Sequence, residues 1–257
     1  PGSSGVAVIR ISGPETKNLI KKIIKKELPR PRMATLLKLY NINTSSLIDE
    51  AIVLWFPGPN SYTGEDMAEL HVHGSRAIIT CLQNTILDTK KCRLAEPGEF
   101  TKLAFINGKI NLLKAEAIGD LIAAETQIQI DQAQSIIKGK SFLKFEKIRE
   151  KLIKILGTLE AKIDFPEEDI PENVTKNIKK DLEKIEEDIK KILDDNKVGE
   201  KIRTGFKVAI VGPPNSGKSS LMNYFSKRDV SIVSEIAGTT RDVLETHLNF
   251  DGYPVII

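Results

Sequence analysis

Apolar positions along the chain change their spacing twice, dividing it into three regions. From residue 6 to about residue 107, short β-type runs alternate with helical spacing. Residues 6–11 (Val-Ala-Val-Ile-Arg-Ile) read as a strand closed by Gly13-Pro14. Leu19, Ile20, Ile23 and Ile24 then recur at helical intervals between lysines. Runs at 36–40, 52–56 and 67–72 predict further strands, and 77–87 predicts a second helix, so this region is an α+β domain. From about 112 to 201 the spacing is helical. Ile148, Leu152, Ile155, Leu159 and Ile163 form one stripe, and Ile178, Leu182, Ile185, Ile189 and Ile192 form another with near-heptad rhythm. The stretch from Asp164 to Pro171 carries Pro166 and Pro171 and interrupts the pattern, which predicts two long helices packed antiparallel. A third region opens at Phe206. The expected division is 1–107, 108–205 and 206–257.

The third region carries the most specific motif. Gly212-Pro213-Pro214-Asn215-Ser216-Gly217-Lys218-Ser219 fits G-x-x-x-x-G-K-[ST], with an apolar strand-like run (206–211) before it and a helix-like opening (220–225) after it. Gly212 and Gly217 let the backbone curl so that N–H groups converge on a phosphate beside a helix N-terminus. Lys218 can reach β- and γ-phosphates, and the Ser219 hydroxyl can ligate Mg²⁺. The motif predicts a nucleoside triphosphate site but does not separate guanine from adenine. Ser234-Glu235-Ile236-Ala237-Gly238-Thr239-Thr240-Arg241-Asp242 lies where a first switch loop would close over the γ-phosphate and its Mg²⁺. On residue chemistry, Asn215 either stabilises the loop by a hydrogen bond or offers its carbonyl to a monovalent cation. An Asp-x-x-Gly turn and an Asn-Lys-x-Asp guanine reader are absent from 206–257, so the nucleotide domain reads as incomplete. The 257 residues alone are expected to be inactive, with no catalytic residue of their own.

Composition narrows the picture less. The chain is 40% hydrophobic and 28% charged with a net charge of +3, the profile of an ordinary globular protein rather than a globally basic nucleic-acid binder. Lys17, Lys21, Lys22, Lys25, Lys26, Arg30, Arg32 and Lys38 form the densest basic run, opposed within it only by Glu27. A solvated helix face is the first reading of that run and a tRNA contact the second. Cys81 and Cys92, the only cysteines, lack metal-ligand spacing and read as reduced, buried thiols. His71 and His73, flanking Val72, read as pointing to opposite faces of a strand, which argues against a metal pair. No membrane span or signal peptide is visible, so a cytoplasmic location without membrane attachment is expected.

Four motifs in order resemble a known family. Gly5-Val6-Ala7-Val8-Ile9-Arg10-Ile11-Ser12-Gly13 is similar to the N-terminal signature of the tRNA-modification GTPases of the MnmE/TrmE type. So are Trp55-Phe56-Pro57-Gly58-Pro59-Asn60-Ser61-Tyr62-Thr63-Gly64-Glu65-Asp66, Ala95-Glu96-Pro97-Gly98-Glu99-Phe100 and Ile236-Ala237-Gly238-Thr239-Thr240-Arg241-Asp242. The resemblance implies an α+β folate-binding-like domain that also mediates homodimerisation, then an all-α helical domain into which an α/β P-loop GTPase domain is inserted. It implies GTP hydrolysis coupled to modification of C5 of the tRNA wobble uridine, adding a carboxymethylaminomethyl-type group. That chemistry uses a tetrahydrofolate derivative as one-carbon donor and a flavin-containing partner protein. By motif position, Arg10, Glu69 and Lys109 match folate contacts. Asn215, Ser216, Gly217, Lys218, Ser219 and Ser220 match the phosphate site, joined by Ser234, Glu235, Ile236, Ala237, Gly238, Thr239 and Thr240 of the switch. Ser219 and Thr240 match Mg²⁺ ligands; Asn215, Ser234, Ile236 and Thr239 match a K⁺ site. Two rival readings remain open on residues alone: a ribosome-assembly or translation GTPase, and a helical scaffold with a structural nucleotide site.

Overall fold

A computed structural model of the chain describes residues 4–164, 172–194, 197–226, 231–232 and 245–257. It divides into two compact units, 1–115 and 116–257.

The first unit contains β1 (Ser4–Ser12), α1 (Thr16–Ile24), β2 (Thr35–Tyr40), β3 (Leu47–Phe56), β4 (Met67–Gly74), α2 (Arg76–Leu87) and α3 (Glu99–Ile106). The strands form one antiparallel sheet in the order β1-β4-β3-β2. Alternation decides which face is buried. Ile11, Val53, Trp55, Leu70 and Val72 point into a core closed by Leu19, Ile20, Ile23 and Ile24 of α1 and by Leu82 and Ile86 of α2. On the opposite face, register aligns Val8, His71, Ile52 and Leu36 in one row across all four strands. Val8, Ile52 and Leu36 of that row are exposed.

Three expectations need correction here. His71 and His73 are two residues apart and alternate with buried Leu70 and Val72, so they share the outer face rather than pointing opposite ways. Cys81 is exposed and Cys92 half-buried, not two buried thiols. The helix α3 was not foreseen, because its start is set by Gly98 in the left-handed region (φ 77°) rather than by a run of periodic apolar residues.

The helix α4 (Leu112–Ala123) carries the chain into the second unit, which continues with α5 (Gln127–Ile137), α6 (Lys140–Asp164), α7 (Glu172–Leu193) and α8 (Val198–Thr204). Thr126 opens α5 with a reciprocal cap: its hydroxyl accepts from the Gln129 amide while the Gln129 side chain accepts from the Thr126 amide. As the proline-bearing break predicts, α6 and α7 run antiparallel, with Lys151 of α6 paired to Asp188 near the far end of α7 at 3.5 Å. Only Ile155 and Ile185 of the two stripes are buried; Leu152, Leu159, Leu182, Ile189 and Ile192 remain exposed, because one partner helix covers less than a full apolar stripe.

The last elements are β5 (Phe206–Lys207), α9 (Lys218–Ser226), β6 (Ser231–Ile232), β7 (His247–Phe250) and β8 (Tyr253–Ile256). They form a sheet of order β5-β8-β7-β6 in which β5 and β8 are parallel and the other pairs antiparallel. The strand expected over 206–211 is laddered only at Phe206 and Lys207, with one further bond from the Val208 amide to the Ile256 carbonyl. Its neighbour β8 is four residues long, and Val211 stands 87% exposed. No helix among the described residues is long and apolar enough to cross a membrane.

The core assignment is directly testable, because Trp55, the single tryptophan, reports on it. Ile23→Ala, at a fully buried position of α1, should destabilise the first unit by about 2–5 kcal/mol in denaturant titrations followed by Trp55 fluorescence. Lys22→Ala, one residue away on the solvent side, should change stability by no more than ~0.5 kcal/mol.

Candidate functional site

Two sites are built in separate units. In the first, antiparallel register places Arg10 of β1 directly opposite Glu69 of β4. The guanidinium donates to Glu69 Oε1 from Nε at 2.9 Å and from Nη2 at 2.7 Å. On the same face, two residues along, His71 Nε2 lies 3.2 Å from Glu69 Oε2, so both carboxylate oxygens are engaged. Burial raises the Glu69 carboxyl, but the hydrogen bonds from His71 and Arg10 and the Arg10 charge outweigh it and hold the group below its ordinary value. Glu69 is therefore an anion at neutral pH, aimed at the outer face of the sheet and gripped on one side. The Arg10 guanidinium also lies over the Phe100 ring of α3, 5.6 Å from its centroid.

Arg10 lines a cavity of about 550 Å³ along the outer edge of β1, within the size range of small-molecule sites. Other walls come from Ser12, Glu65, Lys91, Arg93 and Phe100. Arg93 donates to Glu99 from both terminal guanidinium nitrogens, Nη1 and Nη2, and Glu99 also accepts from the Glu96 amide. The Arg93 hydrogen bond, followed by that amide, draws the Glu99 carboxyl down to about 2. Cys92, on the same wall, has its thiol pushed up by burial and then by Glu15; it is the protonated, weakly nucleophilic form at neutral pH.

Lys109 does not join Arg10 and Glu69 directly. Its Nζ donates to the Pro59 carbonyl at 2.7 Å, and its stem packs where a Cβ on Gly64 would sit. A polar chain runs between residues that neighbour the two places in sequence. Asn107 Nδ2 donates to the Thr63 carbonyl, Thr63 Oγ1 meets Ser12 Oγ at 2.7 Å, and Ser12 Oγ donates to Glu65 Oε2 at 2.9 Å. Ser12 stands two residues beyond Arg10, on the same face of β1. The structure thus brings Arg10 and Glu69 together and holds Lys109 at one remove, through the 57–66 loop. His71 and Phe100 were missed from sequence. Period-two spacing from Glu69 was the signal for His71; Phe100 had none, because its helix starts at a glycine cap.

In the second unit, the loop after β5 runs into α9 at Lys218, so the helix N-terminus faces the loop. Asn215 (φ 60°) and Gly217 (φ 84°) take left-handed backbone, which turns the loop over. A Cβ on Gly212 would meet Ser216 Oγ at 2.9 Å, a contact the Ser216 hydroxyl can relieve by rotating. Lys218 Nζ donates to the Gly212 and Pro213 carbonyls at 2.9 and 2.7 Å, placing the ammonium inside the loop. Asn215, Ser216, Ser219 and Ser220 are exposed around it. These donors suit an anion: an ammonium, hydroxyls and free amides at a helix start. Ser234, Glu235, Ile236, Ala237, Gly238, Thr239 and Thr240 lie outside the described residues. No group of three or more His, Cys, Asp or Glu side chains among the described residues could hold a metal ion.

Comparison with known proteins agrees with this arrangement. Residues 1–109 match the family described as GTP-binding protein TrmE N-terminus, and residues 112–252 match the MnmE helical domain. The chain is 65% identical over 257 residues to the tRNA modification GTPase MnmE of Pelagibacter ubique (strain HTCC1062), covering 100% of this chain and 58% of that protein. It is 47% identical over 256 residues to the protein of the same name from Rickettsia bellii (strain OSU 85-389), again covering 58% of it. It is 48% identical over 257 residues to that from Neorickettsia sennetsu (strain ATCC VR-367 / Miyayama), covering 46% of it. The chain therefore spans about half the length of these relatives. With family matches over both the sheet-bearing N-terminal part and the helical part that follows, in that order, the chain belongs to the MnmE/TrmE family.

Proposed function

We propose that the protein is a GTPase of tRNA modification that carries two ligands on separate units. The observation that carries this reading is the loop at Gly212–Ser219 opening directly into α9, with Lys218 held inside it. The matching relatives' name, tRNA modification GTPase, supports the same reading. In this account residues 1–107 bind folate and mediate homodimerisation, 108–205 belong to the helical domain, and 206–257 begin the inserted GTPase domain. The reaction is installation of a carboxymethylaminomethyl-type group at C5 of the wobble uridine, with a flavin-containing partner protein, in the cytoplasm.

The nucleotide-site residues divide the work by their chemistry. Lys218 exchanges its two loop carbonyls for β- and γ-phosphate oxygens, and the amides of residues 215–220 supply further donors. The Ser219 hydroxyl and Thr240 are the candidate Mg²⁺ ligands. Asn215 turns its carboxamide beside the phosphates and, with Ser234, Ile236 and Thr239, provides neutral oxygens suited to K⁺. A cation held there would offset charge that develops on the transferred group.

The folate reading rests on Glu69. A carboxylate kept ionised and fixed by Arg10 can accept from the amino and ring N–H groups of a pterin, while Arg10 and Lys109 can pair with acidic groups of a tetrahydrofolate derivative. The single-site competitor, a ribosome-assembly or translation GTPase, has no use for a folate site.

Two measurements test the two halves. Glu69→Ala should weaken binding of a reduced folate by ~1–3 kcal/mol, read by calorimetry, since it removes a charged hydrogen-bond acceptor; wild-type affinity would remove the folate site from the account. In the full-length protein, K⁺ should speed GTP hydrolysis over Na⁺ by at least ~10-fold, about 1.4 kcal/mol of barrier. Asn215→Ala should abolish most of that difference while leaving nucleotide binding largely intact. Equal wild-type rates in the two salts would eliminate the cation mechanism.

A further inference from the structure

We infer that the outer face of α1, with the segment that follows it, is a contact surface for the phosphate backbone of tRNA. The inference rests on the reading of the protein as one that acts on tRNA, and adds to it the place where the RNA is held.

The argument starts from how charge is distributed. Between Lys17 and Lys38 there are eight cationic residues and one carboxylate, Glu27, a local charge of +7. All 257 residues together carry only +3, so everything outside that stretch sums to −4. The basic charge is thus concentrated in one short segment rather than spread over the surface.

Most of that segment is exposed on the side where α1 covers the sheet; Lys38, in β2, alternates with core-facing Leu37 and Leu39 and so lies on the opposite face of the sheet. Leu19, Ile20, Ile23 and Ile24 are 0–3% exposed against the sheet, while Lys17 and Lys22 of the helix and Lys25 and Lys26 just beyond its end stand in solvent. Some of the cations have internal work. Lys21 pairs with Glu27, Lys25 lies over the Tyr40 ring, and Arg32 donates to the Asn60 carbonyl beside Phe56. Lys17, Lys22, Lys26 and Arg30 have no ion-pair partner among the described residues. The helix dipole accounts for Lys21 and Lys22 in the last turn, but not for Lys17 in the first turn, where a cation is unfavourable.

The chemistry of this face selects its occupant. Lysine is a flexible point charge, suited to phosphate oxygens and poorly suited to reading base edges, so the contact positions RNA without specifying sequence. A membrane surface is disfavoured, because a helix that lies in a bilayer must bury its own apolar face there, and in α1 that face is already in the core.

The test compares the full-length protein with two triple variants, using a transcribed tRNA and a range of salt concentrations. Lys17→Ala/Lys22→Ala/Lys26→Ala replaces three exposed lysines, the first two inside α1 with a strong helix former and the third in the bend after it, so the fold is retained, as circular dichroism will show. Each lost phosphate contact should lower the slope of log affinity against log salt by roughly 0.7–0.9, or about 2–3 in all, with at least ~10-fold weaker binding at low salt. The control, Lys179→Ala/Lys180→Ala/Lys191→Ala on α7, should stay within about twofold of wild type. Wild-type affinity and slope in the α1 variant, or an equal loss in the control, would overturn the inference while leaving the tRNA reading intact. Absence of tRNA binding by the wild type would overturn both. A loss confined to anionic phospholipid vesicles would assign the face to a membrane and overturn the inference as well.

Discussion

The antiparallel pairing of β1 with β4 sets the geometry of the first unit. Because the ladder puts Arg10 opposite Glu69, the alternation that buries Ile9, Ile11, Leu70 and Val72 also forces Arg10, Glu69 and His71 onto the other face. A one-residue slip would exchange the two sets, exposing the core residues and burying two charges. Core and site are therefore specified by one register. The same strand is an edge of the sheet, so its free side borders the cavity that Arg10 lines, and α3 brings Phe100 beneath the guanidinium.

The second unit follows a different logic. There the loop before α9 depends on backbone shape, with left-handed residues at 215 and 217. The helices before it are tied to one another, and at one point to its sheet. Gln132 donates to the Gly199 carbonyl, Arg203 pairs with Asp120, and His247 Nδ1 lies 2.9 Å from Glu125. The helix α8 leads into β5 through Gly205, whose φ of 83° only glycine adopts without strain.

Much of this was legible in the residues, and the gaps have physical causes. The strands of the first sheet and the two helices on it were visible because each buries one face, which imposes a period of two or 3.6. The 212–219 loop was visible because its glycines and lysine recur at a fixed spacing. What escaped were features without a periodic signature: α3, started by a glycine cap, and the short ladder of β5, which depends on how long its neighbour is. The contact of His71 with Glu69 was lost through misreading two residues of equal parity as facing apart. The offset of Lys109 from Arg10 could not be read at all, since it depends on the path of the 57–66 loop.

The central claim is that two ligands occupy two units through different segments of the chain. Amide hydrogen exchange of the full-length protein, measured free, with a reduced folate and with GTP and Mg²⁺, tests it most directly. The account predicts that folate slows exchange across residues 8–12 and 65–71, and that nucleotide slows exchange across 212–220. Protection of neither segment, or of the same segment by both ligands, would contradict it.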